Sequence, residues 1–300
     1  MNRAGVLVAS LAIDLALGEM PESGHPVVLA GRAVGSLAGR PSARPGRDLA
    51  RGIVAVLLPT AIAWFVGRRV EQRARGPLGF VASVWLFKSA FSLRALVDAA
   101  DRVADALEAD DLGAARAALP WLVSRPVSTL DRAHIASAAV ESLAENLADS
   151  YVAPICAYAL GGLPAALAYR TVNTADAMIG YRDEREFQGK PAARLDDLIN
   201  FVPARLTALS LVVAAGLTSG SAVPALGTAL REARQTASPN AGWPMAAMAG
   251  ALGIWLEKPS TYRLGSGRAP GAPDIRAARS LALVAAAVST IAYLAWEVRR

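Results

Sequence analysis

Three carboxylates, Glu141, Glu145 and Asp149, follow one another at four-residue intervals. On a helix turning about 100° per residue, they and His134 fall within an arc of about 80°. Like charges at i and i+4 repel. Such a stripe is either a solvated acidic face or the seat of something positive. A hard cation such as Mg2+, held by carboxylates together with phosphate oxygens, is the chemistry this spacing can serve. A second block carries Asn173, Asp176, Tyr181, Arg182 and Asp183 within eleven residues, then Arg194, Asp196, Asp197 and Asn200. Arg194 with Asp197 and Asp196 with Asn200 are spaced to meet on one helix. Arg205 stands at the entrance to the longest apolar run. Charges at a membrane boundary can be plain anchors, but paired aspartates, amides and a tyrosine together suggest a polar pocket at an interface.

Standard nucleotide and metal motifs are missing. The pair Gly189-Lys190 is followed by Pro191, and Glu184 stands where a phosphate-binding loop needs its first glycine. The sequence also has no G-x-G-x-x-G after a strand, no C-x-x-C and no H-E-x-x-H. The single cysteine, Cys156, sits in an apolar run and reads as a small packed hydrophobe. A disulfide-built domain is excluded.

The elements that must position these groups are apolar helices. The 300 residues are 54% hydrophobic and only 19% charged, with a mean hydropathy of +0.34. A soluble chain carries about 25% charged residues. Uncharged windows run for 25 residues between Arg205 and Arg231 and for 22 between Arg234 and Glu257. Others cover 20 residues from Ser150 to Tyr169, 17 from Ser280 to Trp296 and 16 from Gly52 to Gly67. A bilayer core needs about 20 residues of helix, and backbone groups in lipid must bond internally. The expected fold is all-α, a multi-pass helical membrane protein without a β-sheet and with polar helical segments between its spans. The lipid bilayer is its first partner. Ala4–Ile13 resembles a signal-peptide core, but Asp14 follows it directly, so an uncleaved, short first helix is expected.

The net charge of +6 and pI near 9.9 do not point to nucleic acid. The basic residues gather on no single amphipathic element, and no aromatic-basic interleaving occurs. Flanking of apolar spans accounts for them, and Arg299 and Arg300 favour a cytoplasmic carboxyl terminus. Between the spans, 98–119 reads as an amphipathic pair turning at Asp110-Asp111. Asp131 is an N-cap for a helix running to about Ser150, and Pro259–Asp274 is a loop. The expected organisation is one integral membrane domain over 1–300. It carries an amphipathic insertion at about 98–132 and polar blocks at about 131–150 and 173–205.

These stretches resemble a family. Gly24-His25-Pro26-Val27, Glu141-Ser-Leu-Ala-Glu145-Asn146-Leu-Ala-Asp149 and Asn173-Thr-Ala-Asp176-Ala-Met178-Ile-Gly180-Tyr181 come first. Ala193-Arg194-Leu-Asp196-Asp197-Leu-Ile-Asn200-Phe-Val-Pro203-Ala-Arg205, then Ser238-Pro239-Asn240-Ala-Gly242 with Ala249-Gly250-Ala251-Leu252-Gly253, complete the set. In this order, over about residues 10–265, the chain resembles the membrane-bound adenosylcobinamide-phosphate synthases of cobalamin biosynthesis. Departures from the pattern fall at Arg125-Pro126-Val127, at Met245 and at Gly18-Glu19-Met20-Pro21.

The resemblance implies an ATP- and Mg2+-dependent ligase in the cell membrane, with its catalytic loops cytoplasmic. Such an enzyme joins the corrinoid adenosylcobyric acid to aminopropanol phosphate or a related amino alcohol. Other membrane-bound cobalamin enzymes are implied as partners. The implied catalytic set is Glu141, Glu145, Asp149, Asp176, Arg194, Asp197 and Arg205. Glu141, Glu145 and Asp149 would hold metal, and the arginines would offset phosphoryl charge. His25, Asn146, Asn173, Tyr181, Asn200 and Asn240 would contact substrate. A transporter-like or sensor relative, or a scaffold for corrinoid enzymes, is the alternative; turnover by purified protein separates them.

Overall fold

The computed structural model describes residues 2–42, 44–73, 76–181 and 183–299. Arg75, Arg182 and Arg300 lie outside the described residues. In chain order the helices are α1 (Arg3–Leu17), α2 (Pro26–Ala38), α3 (Pro45–Arg73), α4 (Gly76–Lys88), α5 (Arg94–Glu108), α6 (Leu112–Ala118), α7 (Arg132–Leu147), α8 (Ala153–Ile179), α9 (Glu186–Ile199), α10 (Phe201–Thr218), α11 (Ala222–Glu232), α12 (Gly242–Leu252) and α13 (Ala272–Arg299). Strands β1 (Leu256–Lys258) and β2 (Tyr262–Leu264) form an antiparallel pair before α13. Among the described residues the architecture is all-helical apart from this hairpin, which lies across the start of the segment read as a loop and corrects the expectation of no sheet.

Among the described residues four helical runs are long and apolar enough to cross a membrane: Pro45–Arg73, Arg132–Ile179, Phe201–Thr218 and Ala272–Arg299. The second is α7 and α8 joined by a π-helical turn, Ala148–Val152. Two of the uncharged windows resolve differently from a simple span. The 25-residue window is divided at Ser219-Gly220-Ser221, where Gly220 has φ 73°, into α10 and α11. The 22-residue window holds only the 11-residue α12. At 1.5 Å per residue α12 is roughly 16 Å long, about half a bilayer core. Most of its side chains, Met245–Ala249 included, are buried in protein. A helix apolar all round fits a protein core as well as lipid, and Gly253 in the left-handed conformation ends it.

The chain forms two compact units. Unit 1 comprises Met1–Ser92, Ala153–Asn200 and Tyr293–Arg300. Its helices approach closely because small residues face one another. Val34 and Ala38 of α2, Ala55 and Val56 of α3, Val172 and Ala175 of α8 and Ala192 of α9 make one buried cluster. At Gly67 of α3 an added Cβ would lie 2.7 Å from the Pro164 Cα, so the glycine is a notch that admits the α8 backbone. Inside α8, Gly162 has φ 70° and ψ −159°, and Pro164 follows it. The Arg3–Glu71 ion pair (3.2 Å) packs where a Gly162 side chain would stand.

Unit 2 comprises Leu93–Val152 and Phe201–Ala292. The amphipathic pair is α5 and α6, with the Asp111 side chain accepting from the Ala114 amide as N-cap. Helix α5 buries Leu96, Val97, Ala100, Val103, Ala104 and Leu107. Its other face offers Asp101, Asp105 and Glu108 to Arg276 of α13, while Arg279 also meets Asp101 at 2.8 Å. Asp131 caps α7 through the His134 amide at 2.9 Å. Helices α10 and α13 are tied by Ser210 and Ser289 at 2.9 Å.

Candidate functional site

In unit 2 the acidic helix α7 faces the hairpin and the segment after α6. The buried Glu141 carboxylate accepts from Ser137 Oγ at 2.7 Å on one oxygen. Its other oxygen accepts from Tyr262 Oη at 2.7 Å and from Arg125 Nη2 at 3.4 Å. Ser137 Oγ in turn accepts from the Glu257 amide at 2.7 Å, so this hydroxyl and that of Tyr262 register the hairpin against α7. Burial first, and the Glu141 charge beside it, hold the Tyr262 phenol well above its usual range, so it remains a donor. Asn146 Nδ2 donates back to the Ser142 carbonyl at 3.0 Å, and Ser142 Oγ donates to the Leu122 carbonyl at 2.5 Å. A cavity of about 180 Å³ opens among these groups, lined by Arg125, Glu141, Ser142, Glu145, Lys258 and Tyr262 together with apolar neighbours.

His134 and Asp149 are not among the residues that line this cavity. The His134 ring meets Asp131 at 2.8 Å and tilts against Trp255, 5.3 Å between centroids. Asp149 lies in the π turn, beyond the point where 3.6-residue spacing holds. Among the described residues no three His, Cys, Asp or Glu side chains gather closely enough to hold a metal ion. The three carboxylates therefore do not fit a ready metal cage.

Unit 2 also holds Arg205 and Asn240. Arg205 Nη1 donates to Asn240 Oδ1 at 3.0 Å and to the Phe201 carbonyl at 2.6 Å. Its guanidinium lies over the rings of Phe201 (3.6 Å) and Trp243 (4.9 Å). This fastens the Ser238-Pro239-Asn240 loop to the start of α10.

In unit 1 the second polar block forms a buried network. Tyr169 Oη donates to Asn200 Oδ1 at 2.8 Å, and Asn200 Nδ2 donates to Asp196 Oδ2 at 2.9 Å. Asn173 Nδ2 donates to Asp196 Oδ1 at 3.3 Å, while Arg170 Nη1 donates to Asn173 Oδ1 at 2.9 Å. Burial raises the Asp196 carboxyl above its ordinary range, against the pull of both amides. The Asp196–Asn200 spacing was the signal for this pair, although Asp197 carried the catalytic expectation. Asp197 is only half-buried and Arg194 is exposed. Asp176 folds over Gly180, whose added Cβ would meet Asp176 Oδ1. Tyr181 carries the Arg185 guanidinium 4.9 Å from its ring centroid. Arg185 also pairs with Asp183 at 2.6 Å, and its hydrogen bonds hold that carboxyl down at about 2.

His25 is the N-cap of α2, its Nδ1 accepting from the Val27 amide at 3.2 Å, with Pro26 at the first helical position. Its Nε2 meets Glu19 at 3.0 Å. Lys88, almost wholly buried, reaches Asp14 at 2.9 Å and Glu19 at 3.4 Å. Burial pushes the Glu19 carboxyl up, but bonds from His25 and Ser92 and the Lys88 charge outweigh it and bring it to about 2.

Long apolar helices enclosing ion pairs and amide-gripped carboxylates define a helical membrane protein with built polar centres. Within that class the chain belongs to the CobD/CbiB family: the family model described as CobD/Cbib protein matches residues 7–290. It is 44% identical over 271 residues to the probable cobalamin biosynthesis protein CobD of Thermococcus kodakarensis, covering 90% of this chain and 87% of the relative. The probable CobD of Pyrococcus abyssi is 41% identical over 281 residues, 93% and 91% of the two chains. The cobalamin biosynthesis protein CobD of Dehalococcoides mccartyi is 39% identical over 274 residues, 90% and 89%. No solved structure matches the chain.

Proposed function

We propose that this member of the family is the ATP-dependent amide ligase that joins adenosylcobyric acid to aminopropanol phosphate or a related amino alcohol, giving adenosylcobinamide phosphate. The observation that supports this best is a compact centre of mixed charge, Arg125, Lys258, Glu141, Glu145 and Tyr262, built on the α7 motif that carries the family resemblance. Amide formation from a carboxylate and an amine needs three services from the protein. The carboxylate must be activated, the charge that develops on phosphoryl oxygens must be offset, and the amine must lose a proton.

ATP supplies the activation when bound. Cationic groups of this chain suited to phosphoryl oxygens are Arg125 and Lys258 in unit 2 and Arg194 and Arg170 in unit 1. On this reading Glu145 accepts the amine proton, and Tyr262 and Ser137 hold the Glu141 carboxylate in place. Asn173 and Asn200 hold Asp196 in one orientation, with Asp197 and Asp176 beside that network as the further assigned catalytic carboxylates. Magnesium belongs with the nucleotide's phosphate oxygens, as it does in many phosphoryl-transfer sites. This reading puts the polar segments on the cytoplasmic side, where ATP is made.

The test is purified protein in detergent with adenosylcobyric acid, ATP, Mg2+ and aminopropanol phosphate, followed by mass spectrometry. Appearance of the amide with stoichiometric loss of ATP is expected. A folded preparation that forms no amide with any amino alcohol would leave the scaffold reading in its place.

A further inference from the structure

The cavity beside α7 is small and carries both signs of charge. At about 180 Å³ it falls below the roughly 300–1,000 Å³ that drug-sized ligands occupy. A corrin ring or a whole nucleotide does not fit within it. Its wall sets the cations Arg125 and Lys258 beside the carboxylates Glu141 and Glu145, two of each sign. A dianion alone would meet the carboxylates, and a simple cation would meet Arg125 and Lys258. A molecule bearing both signs satisfies all four.

Arg125 adds a second, independent pointer. Its contact to Glu141 is long, at 3.4 Å, and its Nε is buried with no acceptor in reach. A buried guanidinium N–H without an acceptor is rare in folded proteins, and a phosphate oxygen is the acceptor it suits best. The opposite pole is stiff: Ser137 and Tyr262 hold the Glu141 carboxylate at 2.7 Å each.

We infer that this cavity seats the amino alcohol phosphate, with its phosphate toward Arg125 and Lys258 and its ammonium toward Glu141 and Glu145. The identity of the ligand rests on the ligase reading, because among that reaction's participants only this one is both small and zwitterionic. Arg125 and Lys258 then select for the phosphorylated alcohol. Glu145 sits at the nitrogen that must become the nucleophile.

The experiment is calorimetric titration of the full-length protein in detergent, without ATP, using phosphoethanolamine and 1-amino-2-propanol phosphate. Inorganic phosphate and ethanolamine serve as the two halves. The intact zwitterions are expected to bind at least about tenfold more tightly than either half, and Lys258→Met and Glu145→Gln each to weaken them about tenfold, the loss of one charge-assisted contact. Lys258→Arg should recover most of the affinity, and thermal melts should show each variant folded. In turnover assays Lys258→Met should raise KM for the amino alcohol phosphate and not KM for ATP. Equal binding of the halves, or a KM shift confined to ATP, would overturn the assignment. Binding without amide formation would instead overturn the ligase reading and leave the cavity's ligand class standing. Amide formation with an unmoved amino alcohol KM in both variants would do the reverse.

Discussion

Asp196 and Asp197 are neighbours in sequence and opposites in surroundings. Asp196 is gripped by two amides that donate to both its oxygens. Replacing it with Asn would turn an acceptor into a donor against those amides, costing about 1–3 kcal/mol. The expected result is a lower melting temperature in detergent for Asp196→Asn. Asp197→Asn should stay within about 0.5 kcal/mol of the parent and lose turnover, so paired melts and assays separate the two. Glu19 gives a pH dependence with a definite sign. Its carboxyl is lowered from 4.5 to about 2 in the folded chain. Its contribution is therefore present above 4.5 and is lost as pH falls toward 2. Glu19→Gln should flatten the acid limb of a melting-temperature profile over that window. Because Glu19 is partly exposed the effect is small, and an unchanged acid limb would show that its bonds to His25 and Lys88 do not persist.

Helices and their caps were the most legible elements, because their signals are local. Asp111 and Asp131 each cap the helix expected to follow, and the Asp196–Asn200 pair follows from one helical turn. The cavity beside α7 was half legible. Glu141 and Glu145 are four residues apart, but Arg125, Lys258 and Tyr262 arrive from distant segments that only tertiary packing brings together. The hairpin that delivers two of them is three residues a side and too short for an alternation pattern to register. Apolar windows failed where charge was silent about backbone: Gly220 breaks one, and α12 is apolar because protein surrounds it. Close approach is likewise invisible in a helical pattern. Gly67→Ala would place a methyl group 2.7 Å from the Pro164 Cα. The helices α3 and α8 must part to admit it, at about 1–3 kcal/mol, whereas Gly46→Ala meets nothing within 4 Å. Melting of the two variants side by side checks this.

At the scale of the whole chain, the apolar surface demands lipid. Leu57 and Phe65 of α3 and Leu209 of α10 are each more than half exposed, and a polar solvent would leave these faces uncovered. An arginine at the centre of a spanning helix costs about 2.5–3.5 kcal/mol on insertion scales. Leu57→Arg should therefore reduce the yield of protein in the membrane fraction, while Arg73→Lys at the end of α3 should not. The order of synthesis matters as well. Each unit is assembled from separated stretches of chain, so the amino-terminal helices leave the ribosome well before the segments they close upon. Between Gly67 and Pro164 lie about 96 residues, roughly 5–20 s of translation at about 5–20 residues per second. Throughout that interval α3 carries its notch at Gly67 unfilled. A nascent chain halted before residue 153 would hold the first four helices without the backbone that seats in them, and such a chain is the natural substrate for a membrane quality-control protease.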